Sequence, residues 1–198
     1  MVFHKYKLIV IGVPKNASSS IFDTLKNRTD AQHGHETIVD TYNNHDSDLV
    51  EHYTSLAVVR NPYDRFFSAC HQIRRDEKEN RNLSVSEIIV QEVLPNESGF
   101  INDVFIPQHH YVSIGGKVLV DKILRYENLE KEWRGFVDEF NKTAQFPITK
   151  FLPRSNASAE KIPWEEEIKV LTQDELDLIN NMYARDFKMF GYEKKQKV

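Results

Sequence analysis

The chain has 198 residues, a formal net charge of −4, 40% hydrophobic residues and 28% charged ones, a balance that suits one soluble globular domain and excludes wholesale disorder. Net negative charge excludes nucleic-acid binding by bulk electrostatics, while leaving room for a local basic pocket. A lone cysteine, Cys70, excludes an intrachain disulfide, and no apolar run is long enough for a signal peptide or a membrane span, so cytoplasm is the expected location.

In chain order, Lys7 to Val13 reads as a buried parallel strand, and Ser18 to Asn27 as a helix with Ile21, Phe22 and Leu25 inward. Residues 28 to 54 are mostly polar, with Ile38 and Val39 as the expected apolar core, and predict a short strand or loop leading to a short helix. "SLAVV", 55 to 59, is a second buried strand. "NPYDRFFSACHQIRR" follows as a helix, with Asn61 as its cap and Pro62 at its first position. Ser84 and Glu87 form a capping box that opens a helix over "SVSEIIVQEVL", and a loop spans 95 to 107. "KVLVDKILRYENL" supplies one or two strands, and Leu129, Trp133, Phe136, Val137 and Phe140 recur at helical spacing. Residues 142 to 163 predict a surface loop, and a second capping box, Thr172 to Glu175, starts a last helix that runs on through "YARDFKMFGY". Cys70 reads as a buried helix residue, and Trp133 and Trp164 as packing residues. This alternation predicts a three-layer α/β/α sandwich with a mostly parallel sheet, as one domain over 1–192 with a disordered basic tail over 193–198.

In such sheets ligands sit beyond the carboxyl ends of the strands, where loops enter helices. Two strand-to-helix junctions carry suitable chemistry. "PKNASSS", Pro14 to Ser20, places the cation Lys15, the side chain of Asn16, the small Ala17 and the hydroxyls of Ser18, Ser19 and Ser20 at a helix amino terminus, where unpaired N–H groups favour an anion. The triphosphatase pattern GxxxxGK[ST] is absent, and the second strand ends in Arg60 rather than in an acidic residue that would hold magnesium. An anion site without metal follows. A cation just before a helix amino terminus is unfavourable unless an anion lies between them, so Arg60, with Ser68 two turns on, marks a second site. Two such sites describe a nucleoside ligand with phosphate-type groups at opposite ends.

"VPKNASSSI" resembles the 5′-phosphosulfate loop, and "VVRNPYDRFFSAC" the 3′-phosphate motif, of sulfotransferases that use 3′-phosphoadenosine-5′-phosphosulfate (PAPS), especially carbohydrate enzymes related to the heparan sulfate 2-O-sulfotransferase. "FIPQHHYV", "VDKILRYENLEKEW", "LPRSNAS" and "YARDFKMFGY" continue the resemblance in family order. Relatives often have Thr-Ala-Gly-Thr-Ser where this chain has Asn-Ala-Ser-Ser-Ser. The resemblance implies the P-loop-like sulfotransferase fold, PAPS as donor, a hydroxyl acceptor of saccharide type and sulfuryl transfer by in-line displacement. A sulfuryl group carries less negative charge than a phosphoryl group, so Lys15 and a helix terminus suffice for the leaving phosphate oxygen. Histidine is the side chain best matched to accepting the acceptor's proton near pH 7. "QHGHET" resembles the His-Gly-His segment of the 2-O enzymes and points to His35 as base, with His33 second. Gln108, His109 and His110 are expected to position the acceptor, and Arg154 to contact the nucleotide, as residues of that loop do in relatives. The rivals are a P-loop-type nucleotide kinase or triphosphatase and a noncatalytic module that binds a nucleotide or glycan. Oligomeric state is not legible.

Overall fold

The computed structural model describes residues 1–25, 34–46, 51–76, 82–94, 102–153 and 162–196. These fall into two compact units, the first formed by Met1–Arg60 with Gln108–Ser158, the second by Asn61–Pro107 with Ala159–Val198.

The first unit holds a four-stranded sheet in the order β1 (Val2–Phe3), β2 (Leu8–Ile11), β3 (Thr54–Val59) and β6 (Lys122–Arg125). β1 runs antiparallel to β2, while β2, β3 and β6 are parallel, with Ile11 opposite Ala57 and Val59 opposite Arg125. The sheet is therefore mixed and mostly parallel, and helices flank it, as the sequence predicts. The first predicted strand is shorter than expected. Lys7, at φ 51°, takes the left-handed conformation and closes a turn over His4–Tyr6, which lets the two-residue β1 fold back on β2.

Alternate strand residues Leu8, Val10, Leu56, Val58 and Leu124 form one apolar face. α1 (Ser18–Leu25) packs Ile21, Phe22 and Leu25 there, and α6 (Leu129–Phe140) packs Leu129, Trp133, Phe136 and Val137. Each such side chain contributes about 1.5–3 kcal/mol on full burial. Beyond α6, the amide of Asn141 donates to the Ile148 carbonyl and accepts from its N–H, both at 2.9 Å, and so closes the loop between them. Within residues 28 to 54, the expected short helix is α2 (Ile38–Asn44). Thr37 accepts from the Asp40 N–H while the Asp40 carboxylate accepts from the Thr37 N–H, a capping box that fixes the helix start. The segment "QHHYVSIGGKV" contains α5 (His109–Val112) and a hairpin of β4 (Ser113–Ile114) with β5 (Lys117–Val118).

The second unit is helical. α3 (Pro62–Asp76) begins as predicted, with Asn61 Oδ1 accepting from the Tyr63 N–H at 2.9 Å. Tyr63, Phe66, Phe67, Cys70 and Ile73 of α3 join a core with α4 (Val85–Ile88), the π-helical turn Ile89–Val93 and α8 (Gln173–Met182). Both capping boxes read from the sequence are present. Trp164 opens α7 (Trp164–Glu167) and stacks on Tyr63 at 5.3 Å, a packing role. The last predicted helix is two: it breaks at Tyr183, and α9 (Ala184–Phe190) continues from there. The Tyr183 hydroxyl donates to the Phe105 carbonyl at 2.9 Å, and burial pushes its pKa far up, so a fixed anchor sits at the break. The tail, expected to be disordered from residue 193, is bonded to the second unit at Lys195. Its Lys195 N–H donates to the Tyr63 hydroxyl at 2.7 Å and its carbonyl accepts from Asn180.

Candidate active site at the carboxyl ends of the parallel strands

β2, β3 and β6 end side by side in the first unit, where an open parallel sheet presents its ligand-binding loops. Three features converge there: the loop from Gly12 to Ala17, Arg60 and Tyr126.

The loop reaches α1 through two left-handed residues that are not glycine, Lys15 at φ 68° and Ala17 at φ 59°. That conformation costs roughly 1–2 kcal/mol per residue and persists only where surrounding contacts enforce it. Alternation in the sign of φ along a short loop turns successive N–H groups toward one concave side, the arrangement of an anion-binding nest. The Ala17 carbonyl accepts from Ser20 and Ile21, so helical bonding begins immediately after the loop and the first N–H groups of α1 lie within it. The three serines separate in role. Ser18 and Ser20 are buried, whereas Ser19, like Lys15, is half-buried and faces outward in part. Pro14 is buried and sets the loop's entry.

Arg60 is 3% exposed. Its Nη1 donates to the Lys15 carbonyl at 2.8 Å, and its guanidinium carbon lies 4.0 Å from the centre of the Tyr126 ring. The ends of β2, β3 and β6 are thereby joined through one side chain, and the two cationic positions read from the sequence are brought together. Tyr126 is a residue that sequence reasoning missed. It directly follows β6, the same position that Arg60 holds after β3.

His35 is exposed overall, but its Nδ1 sits 2.5 Å from the Gly12 carbonyl. A carbonyl only accepts, so Nδ1 carries the proton and the lone pair of the neutral ring is on Nε2. α2, with its capped start at Thr37, holds the preceding residues Gly34 to Glu36 against the loop.

The proposed acceptor group divides. His109 is 8% exposed and its ring lies 4.3 Å from that of His110, centre to centre, which is exposed. Gln108, expected to meet the acceptor, is instead 0% exposed. Its Nε2 donates to the Arg60 carbonyl at 2.9 Å, and its Oε1 accepts from the Arg60 N–H at 2.8 Å and from Asn16 Nδ2 at 2.7 Å. Asn16, expected to touch the donor, is 1% exposed and also donates to the Val58 carbonyl at 2.8 Å. Both amides are turned into the protein, toward partners that lie 42 to 92 residues away in sequence. Ser68 is half-buried on α3, in the second unit. His33 and Arg154 lie outside the described residues.

Among the described residues no group of three or more His, Cys, Asp or Glu side chains is placed to hold a metal ion, and no helix is long and apolar enough to cross a membrane. No curated protein and no solved structure matches the chain. A family model does, over residues 1–193, and its description is the Sulfotransferase family. The match spans both junctions, including the strained cationic loop after β2 and the arginine after β3, and on that extent the chain belongs to the sulfotransferase family, whose chemistry is sulfuryl transfer.

Proposed function

We propose that the chain transfers a sulfuryl group from PAPS, the donor this family generally uses, to a hydroxyl of a saccharide. The observation that supports this most is the bond from Arg60 to the Lys15 main chain, which places an arginine after β3 against an anion-binding loop after β2. A nucleotide with phosphate groups on both its 3′ and 5′ sides matches that pair of positions.

The loop N–H groups, Lys15 and Ser19 would hold the 5′ side, and Arg60 the 3′ phosphate, with Ser68 and Arg154 as further proposed contacts and His33 second to His35 as the base. The donor supplies a sulfuryl group activated by its anhydride link to the 5′ phosphate. His35 Nε2 takes the proton of the acceptor hydroxyl as its oxygen bonds to sulfur. Lys15 and the first turn of α1 take up the charge that collects on the phosphate oxygen as the sulfur–oxygen bond breaks. His110, the exposed member of its pair, faces the acceptor.

The test is calorimetry with 3′-phosphoadenosine-5′-phosphate against adenosine diphosphate, together with sulfate-transfer assays. Wild type should prefer the former, and Arg60→Ala should lose about 10- to 100-fold of that preference. Lys15→Ala should lower kcat by about 10²–10³ and His35→Ala by about 10²–10⁴, each with most nucleotide affinity kept. Equal binding of the two nucleotides by wild type, or magnesium-dependent ATP turnover, would overturn the reading.

A further inference from the structure

Gln108, Arg60, Lys15 and Asn16 form a closed ring of contacts. Gln108 bonds the Arg60 main chain through both its N–H and its carbonyl, Arg60 Nη1 bonds the Lys15 carbonyl, Lys15 is followed by Asn16, and Asn16 Nδ2 returns to Gln108. The last main-chain pairing of β3 with β6 is Val59 opposite Arg125. Arg60 is the next residue, so the Gln108 amide supplies one further rung to the sheet with a side chain.

The orientation of every group in the ring is forced. A main-chain N–H only donates and a carbonyl only accepts, which fixes the Gln108 amide on Arg60 and turns its Oε1 toward Asn16. Asn16 must answer with Nδ2, as it does toward the Val58 carbonyl. Its own Oδ1 is then left buried with no partner among the described residues. A buried acceptor without a donor is costly, so the Asn16 amide is held in place by what its nitrogen does. That nitrogen fixes the residue between the two left-handed positions, Lys15 and Ala17.

We propose that Gln108 is a positioning residue, with Asn16 as its partner, that fixes the spacing between the Lys15 loop and Arg60 and thereby sets preference for a nucleotide phosphorylated on both its 3′ and 5′ sides. The inference rests on the proposed function. A ligand that bridges two loops gains the full benefit of the second contact only when the loops are already at the right separation.

The experiment compares 3′-phosphoadenosine-5′-phosphate with adenosine 5′-monophosphate by calorimetry in wild type, Gln108→Met and Asn16→Asp. Either substitution should lower affinity for the bisphosphate about tenfold or more while changing the monophosphate by about threefold at most. In an Arg60→Ala background Gln108→Met should not reduce the ratio further. An unchanged ratio, or equal losses for both ligands, overturns the proposal. Amide hydrogen exchange in the wild-type protein decides the matter if the variants fail to fold: the Arg60 N–H should exchange as slowly as the amides of β3, and fast exchange overturns the clamp. If wild type shows no preference for the bisphosphate, the proposed function fails instead, and the Arg60 amide still reports on the ring.

Discussion

A Cβ on Gly12 would lie 3.1 Å from the Gly34 carbonyl oxygen, 3.2 Å from Met1 Cε and 3.7 Å from His35 Nδ1. The methionine tip can shift; the Gly34 main chain, next to His35, gives way less readily. Gly12→Ala should therefore displace the Gly34–His35 segment and break the bond from Nδ1 to the Gly12 carbonyl, which selects the tautomer with its lone pair on Nε2. The expected outcome, with His35 as the proposed base, is a loss of about tenfold or more in kcat with nucleotide affinity nearly intact, because a small misplacement of such a group is expensive in rate. Steady-state kinetics beside calorimetry checks it; an unaltered kcat would place the base elsewhere. In the sequence Gly12 reads only as part of the strand predicted over Lys7 to Val13. Nothing in the local pattern shows that a segment more than twenty residues later passes over it.

At the scale of elements, helix starts were the most legible feature. Asn61, Ser84 and Thr172 cap the helices they were expected to cap, since capping depends on side chains within three residues of one another. Some of the shortest elements were not legible: β1, β4 and α5 owe their form to neighbours in space, whereas β5 and β6 fall in the segment expected to supply one or two strands. The break at Tyr183 was missed for the same reason, because the anchor is Phe105. One cap offers a test in pH. Hydrogen bonds from the Ser84 N–H and hydroxyl hold the Glu87 carboxyl below its usual pKa. A folded-state pKa below the unfolded one adds stability above the unfolded value, about 4.3 for glutamate, and loses it as pH falls through the folded value. Glu87→Gln should thus be less stable than wild type at neutral pH, with the gap closing on acidification below about pH 4. Thermal melts of both proteins across that range measure it, and a gap that stays constant would refute the assignment.

On the scale of the whole molecule, the chain builds its two units from interleaved segments, 1–60 with 108–158 and 61–107 with 159–198. Periodicity along the chain identifies strands and helices but carries no information on which distant segments share a core. That limit also explains the candidate site. Lys15 and Arg60 were legible because each follows a strand, whereas the inward roles of Asn16 and Gln108 depend on contacts that span the first unit. Cys70 sits in the core of the second unit, and burial raises its thiol pKa to about 12. The native protein should therefore resist thiol-specific alkylation at neutral pH and react only as that core opens, so labelling followed by mass spectrometry along a denaturant series should track loss of the second unit's structure. Rapid modification of the native chain would contradict the buried placement.

Asn141 bonds both main-chain groups of Ile148, and that arrangement bears on how the protein ages in storage. Spontaneous hydrolysis of this one amide to a carboxylate would replace a donor with an oxygen facing the Ile148 carbonyl. Chemical wear would then loosen the connection after α6 while leaving every apolar side chain of the core intact.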